Sequence, residues 1–352
     1  MRTVFIGIAL FSVLIPLSLQ SAARAAAPIT ADHQSANDFS NIPTSYCDLV
    51  RSTFDIYYGH TSHGSQVTTG LSMLENQNAT LYSWPSIYDD YNIDLGDPAW
   101  VPNTRNYLND HPETNLVVWS WCGQLSWYGE SAVNAYLSQM AGLETDYPGV
   151  TFVYMTGHLD GEGPSGTLYT NNERIRAYCA ANNKVLYDFA DIESYDPGGT
   201  YYPYGSDWCE WCTIWCASHG CAGYGCEDAS EDCAHSQCFN CYRKGKGFWW
   251  LLARLAGWEP SATLLYVDKN GSCGGMSPCY TTIQGAMNAA ATGDRIRIAQ
   301  GTYDESLVLN ESKSLTLQGG WDATFATQSS DTTINSMTIN NGTVTIDNLV
   351  IQ

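Results

Sequence analysis

Phe54-Asp55-Ile56-Tyr57-Tyr58-Gly59-His60-Thr61-Ser62-His63-Gly64-Ser65 is the stretch on which the fold turns. Its first half is a short apolar and aromatic run, which reads as a β-strand. Its second half is a glycine-flanked turn rich in hydroxyls and imidazoles. Residues 116–121, 150–155 and 184–189 repeat the strand half, and residues 91–95 do so more weakly. Helix-like stretches, such as residues 131–143 and 172–181, lie between them. Strands separated by helices imply an α/β domain with a mostly parallel sheet. Such a sheet places its ligand site beyond the carboxyl ends of its strands.

The chain has 352 residues, 36 acidic and 15 basic, for a net charge of -21. That field repels a phosphate backbone and excludes broad nucleic-acid binding. With 44% hydrophobic and only 14% charged residues, the chain has what it needs to bury a core. Its length fits two domains. Met1 and Arg2 precede an apolar run from Val4 to Leu19 and small residues ending in Ala23-Arg24-Ala25. Residues 1–25 therefore read as a secretory signal peptide. No later stretch is apolar enough to span a membrane, so the mature chain is expected outside the cytoplasm, whether secreted, periplasmic or on the cell surface.

Thirteen cysteines fit that compartment. Cys47, Cys122 and Cys179 are scattered. Eight more lie between Cys209 and Cys241, and Cys273 and Cys279 flank a glycine-rich turn, where they are expected to pair. The odd count leaves at least one thiol free or paired with another chain. Cys209-x-x-Cys212 and Cys238-x-x-Cys241 have zinc-ribbon-like spacing. Export favours disulfides over metal, so no metal or cofactor is expected. A zinc-binding cysteine-rich protein is a third-ranked reading.

Residues 26–48 read as a loose polar leader. The α/β domain covers residues 49–258, with a Gly-, Cys- and aromatic-rich irregular segment at 197–242 that holds a cysteine-rich insertion at 205–241, and a closing apolar helix at 247–256. Residues 259–263 form a linker. From 264 to 352 the chain turns to short β-runs with Asn and Gly at their corners, which suggests a β-solenoid. Tyr266-Val267-Asp268, residues 279–286, Gly293-Asp294-Arg295-Ile296 and Gly301-Thr302-Tyr303 resemble the entry turns of pectate-lyase-like right-handed parallel β-helix proteins. The last strand, Asn348-Leu349-Val350-Ile351-Gln352, lacks a polar cap. Either the sequence is truncated there or this end stacks on something.

Ser62, on the turn after the first strand, suits a nucleophile near helix N–H groups. Ser65 is a second candidate on the same turn. Asp232-Cys233-Ala234-His235 supplies a base and its orienting carboxylate. Ser62 after strand one, Gly96 after strand two, Gly123-Gln124 after strand three and Asp-x-x-His before the last helix resemble the SGNH, or GDSL-like, hydrolase superfamily over residues 50–258. The resemblance implies a flavodoxin-like three-layer α/β/α sandwich with a parallel sheet, carrying a C-terminal all-β parallel β-helix segment. It implies a serine esterase removing acyl groups, acetyl above all, from a carbohydrate or other small ester. Ser62, His235 and Asp232 would be its triad, with Gly96 and Gln124 as oxyanion donors. His60-Thr61-Ser62 replaces the usual Gly-Asp-Ser, and Cys122-Gly123-Gln124-Leu125 replaces the usual Gly-x-Asn-Asp. His63, and His158 with Asp160 after strand four, are expected to bind substrate, and the latter two also form an alternative base and support. The competing reading is a non-catalytic carbohydrate-binding or adhesion protein on the same scaffold. The discriminating feature is the geometry around Ser62.

Overall fold

The computed structural model describes residues 28–226, 232–260, 263–311 and 313–352. The expected signal peptide, residues 1–25, lies outside the described residues. Six strands form an all-parallel sheet: β1 (Thr30–Ala31), β2 (Asp55–Gly59), β3 (Ser86–Asp90), β4 (Leu116–Trp119), β5 (Thr151–Met155) and β6 (Val185–Tyr187). Their spatial order is β1-β6-β5-β4-β2-β3. The chain direction across the sheet reverses at β2, which has β3 on one side and β4 on the other. In open parallel sheets that switch point opens a crevice at the strands' carboxyl ends.

The helices of this part are α1 (His33–Asp38), α2 (Thr44–Thr53), α3 (Ser65–Gln77), α4 (Ala79–Tyr82), α5 (Trp100–Asp110), α6 (Glu130–Asp146), α7 (Thr167–Ala181), α8 (Phe189–Ser194), α9 (Glu210–His219) and α10 (Cys238–Leu255). Side-chain alternation along the strands feeds two cores. Ile56, Val118 and Val153 face α2, α3 and α10, while Tyr57, Val117 and Phe152 face α5, α6 and α7. Both faces of the sheet are covered, so its strands read as near-continuous apolar runs.

Helices α3 and α10 cross at two glycines. A Cβ on Gly70 would lie 2.0 Å from the Cys241 carbonyl oxygen, and one on Gly245 would lie 2.3 Å from the Gly70 carbonyl carbon. Only glycine permits that approach.

Four sequence expectations need correction. Residues 28–48 are not a loose leader. Thr30–Ala31 adds a strand beside β6, Ala31 and Ala36 are fully buried, and Asp32 caps α1 through the Ser35 amide at 2.9 Å. The second strand in the chain order of the expected domain is not at residues 91–95 but at Ser86–Asp90, an edge strand with mostly exposed side chains and therefore little apolar signal. The closing helix begins at Cys238, nine residues before the apolar stretch that announced it. The cysteine-rich segment is not wholly irregular, because it contains α9 and the hairpin β7 (Asp232–Cys233) with β8 (Ser236–Gln237).

All thirteen cysteines are accounted for. Cys209–Cys212, Cys216–Cys221, Cys226–Cys238, Cys233–Cys241 and the expected Cys273–Cys279 are disulfides. Cys47, Cys122 and Cys179 are free.

The second part holds β9 (Leu264–Val267), β10 (Cys279–Tyr280), α11 (Ile283–Ala289), β11 (Arg295–Ala299), β12 (Gly301–Leu309), β13 (Ser314–Trp321), β14 (Thr332–Ile339), β15 (Thr343–Asp347) and β16 (Leu349–Ile351). These strands pair with one another in parallel, in two sheets ordered β10-β9-β11-β13-β15 and β12-β14-β16. From β11 onward successive strands alternate between the sheets. Ile296, Leu307, Leu317 and Ile334 fill a separate core between them. Among the described residues no helix is long and apolar enough to cross a membrane.

Candidate active site

Strand β2 ends at Gly59, packed so tightly on Trp119 of β4 that a Cβ there would lie 2.3 Å from the indole. That close approach aligns the two strand ends at the switch point. The chain leaves β2 through a 3₁₀ turn, Ser62–Gly64, that runs into α3. It leaves β4 through Ser120-Trp121-Cys122-Gly123. Asp94 ties the loops together. It accepts the Thr61 hydroxyl, the Gly96 amide at 2.8 Å and the Gln124 side-chain amide at 2.9 Å. Gln124 in turn accepts the Cys122 amide at 3.0 Å.

These ties bring His63, rather than His235, to the reactive group. His63 Nδ1 lies 3.2 Å from Cys122 Sγ, and its Nε2 lies 3.2 Å from Asp207 Oδ2. Ser62 Oγ lies 3.6 Å from the same sulfur. His63 is only 7% exposed. Burial works against its charge, but the bonds to Asp207 and Cys122 outweigh it and carry the imidazole up to about 9. The His63 hydrogen bond is the main cause that draws the Cys122 thiol down to about 7, against the effect of burial. Burial pushes the Asp207 carboxyl up, but its bond to His63 and the neighbouring imidazoles hold it below its ordinary value. A thiol, an imidazole and a carboxylate in this order are the groups that a nucleophile, a base and its orienting residue require.

His158 stacks on His63 with centroids 4.0 Å apart and planes 5° apart. Its Nδ1 donates to the Leu159 carbonyl at 2.6 Å, so the tautomer leaves Nε2 bare. Burial, then the charge on His63, lowers its proton affinity. His235 also stacks on His63, at 4.6 Å and 24°. It sits at the tip of the β7–β8 hairpin, where Ala234 and His235 have φ of 46° and 74°. Side chains rarely adopt that conformation. The Cys233–Cys241 disulfide and a 2.8 Å bond from Gln66 to the Ala234 carbonyl hold it.

A buried network underlies these loops. Glu193 and Lys244, both fully buried, pair at 2.7 Å. Glu193 also accepts the Leu159 amide at 2.8 Å, beside His158, and its carbonyl accepts the Trp211 indole at 2.7 Å. Lys244 reaches Gln66 at 3.0 Å.

Of the residues expected from sequence, Ser62, His63, His158, His235 and Gln124 converge here. Gly96 abuts Gln124, but its N–H is committed to Asp94 and is not a free oxyanion donor. The Asp232 side chain lies outside the described residues. Ser65 begins α3, after the turn that carries Ser62 and His63, and makes no hydrogen bond to the thiol. Asp160 accepts Ser126 at 2.8 Å and shapes the loop instead of touching His63. Sequence reasoning missed Cys122 and Asp207. The odd cysteine count and the position of Cys122 just past a strand end were the available signals for the first. Asp207 had only its place two residues before the Cys209–Cys212 bridge.

A large cleft lies elsewhere. It has a volume of about 980 Å³ and runs between the α/β part and the parallel β part, past His33, Arg176, Tyr201, Glu311 and Asn341. Its lining includes Leu159 and Asp160, next to His158, but not Cys122, His63 or Asp207. No protein-family model matches the chain, and no curated protein matches it.

Proposed function

We propose that the protein is a hydrolase that uses Cys122 as its nucleophile, His63 as base and Asp207 as the group orienting His63. The observation that carries this reading is the His63 ring, bonded through one nitrogen to Cys122 Sγ and through the other to Asp207. The Cys122 thiolate attacks the carbonyl carbon of an ester. The oxyanion faces the first N–H groups of the Ser62 turn, which lack intrahelical acceptors. Collapse expels the alcohol, protonated by the His63 imidazolium, and leaves an acyl thioester on Cys122. Neutral His63 then takes a proton from water, whose oxygen attacks the thioester. Carboxylic acid leaves, and the thiolate and imidazolium are restored.

The scaffold reading follows the SGNH-like, flavodoxin-like expectation, and what supports it is that His63 and Cys122 follow the ends of β2 and β4, the strands at the switch point. The alternating parallel sheets of the second part support a β-helix. Five disulfides support an oxidising compartment and export. An acylated carbohydrate remains the substrate class we favour. The second reading keeps Ser62 as nucleophile with His235 as base. What favours it is that both residues border the same spot, Ser62 beside the sulfur and His235 on the His63 ring.

Acyl trapping separates the two. The protein is quenched in acid during turnover of p-nitrophenyl acetate, and peptides are mapped by mass. The proposal expects an acetyl group on Cys122. An acetyl group on Ser62 would overturn it in favour of the serine reading.

A further inference from the structure

We infer that His63, His158 and Asp207 also form a capture site for a zinc-class divalent ion, which switches the thiol off. The imidazole nitrogens and carboxylate oxygen they offer all lie within 4.8 Å of one another. Two imidazoles and one carboxylate, with a fourth position left for water, are a ligand set suited to Zn²⁺ or Co²⁺.

The state of His158 supplies an independent argument. It is 92% buried (8% exposed), and its Nδ1 proton is fixed on the Leu159 carbonyl. Its Nε2 therefore presents a lone pair without a protein partner among the described residues. A ligand imidazole with its far N–H held by a carbonyl is the usual outer arrangement at metal centres. The Leu159 loop is itself held from behind by Glu193.

The His63 and His158 rings are nearly parallel, so their lone pairs do not converge. Capture needs one ring to tilt, and it replaces the proton between His63 and Asp207. With Nε2 bound to metal, His63 releases that proton and loses its orienting carboxylate. Cys122 lies on the Nδ1 edge of His63, so the sulfur stays outside the ligand set. The binding site stands on geometry alone, whereas the switching rests on the thiol-hydrolase reading.

The test uses the full chain after treatment with a chelator and removal of the chelate. Titration with Co²⁺ should give one ion per chain, visible d–d bands and no near-ultraviolet thiolate charge-transfer band. Cys122→Ala should give the same spectrum. His158→Ala and Asp207→Asn should each weaken binding by more than about tenfold; a thermal melt checks that each is folded. Zn²⁺ should suppress p-nitrophenyl acetate hydrolysis by the wild type, and chelator should restore it. No Co²⁺ uptake, or a thiolate band that vanishes in Cys122→Ala, would overturn the site. Uptake without loss of hydrolysis would overturn the switch. Absence of hydrolysis from the chelated wild type would count against the hydrolase reading and leave the Co²⁺ result standing.

Discussion

Cys122 is one of three thiols outside the five disulfides, and the other two, Cys47 and Cys179, are buried. Burial pushes the Cys47 and Cys179 thiols up, whereas the His63 bond draws Cys122 down to about 7. The thiolate is the form that reacts. In chelated protein, alkylation of Cys122 by iodoacetamide should therefore rise with pH through about 7. In His63→Ala the rise should move toward the ordinary thiol value. An unchanged midpoint in that variant would remove His63 as the cause. The turn bearing Ser62 and His63 was legible in the sequence because strand ends at a parallel sheet point to a ligand site. The pairing of His63 with Cys122 and Asp207 was not. It joins residues 59 and 144 positions apart, whereas Asp232-x-x-His235 offered a local pattern for the same chemistry.

Helices α3 and α10 set the site from behind. Their contact at Gly70 and Gly245 leaves no room for a methyl group, so Gly70→Ala should force the helices apart and cost about 1–3 kcal/mol. A chemical-denaturation midpoint would measure this, and an unchanged midpoint would contradict the close packing. Glu193 and Lys244 are a fully buried pair. Lys244→Met should cost about 3–5 kcal/mol, because it leaves a carboxylate without its partner. The double variant Lys244→Met with Glu193→Leu should recover much of that loss, and additive losses would exclude the coupling. Strands β2, β4, β5 and β6 were legible to within a few residues because both faces are covered. Strands β1 and β3 were not, since β1 has only two residues and the mostly exposed β3 carries little apolar signal. The start of α10 was hidden because its first turns carry cysteines and charges that bind the hairpin and Glu193 instead of forming an apolar stripe.

Cores on the two faces of the covered sheet and a separate core between the alternating parallel sheets divide the molecule along the change in composition near residue 260. A direct hydrogen bond between the parts, from Gln34 to the Asn288 carbonyl at 3.0 Å, is exposed. Scanning calorimetry should therefore resolve two unfolding transitions, and a single two-state transition would mean that the parts unfold as one. The shift from long apolar runs to short Thr- and Asn-rich strands made this division readable. The cleft between the parts was not, because no local pattern encodes which surfaces meet. The account depends most on the identity of the nucleophile. The most direct measurement is kcat/KM for p-nitrophenyl acetate in chelated wild type, Cys122→Ala and Ser62→Ala, compared side by side. The account predicts a loss of about 10³-fold or more in Cys122→Ala, on the scale of removing a triad nucleophile, and retention of most activity in Ser62→Ala. Activity that survives in Cys122→Ala and disappears in Ser62→Ala would contradict it.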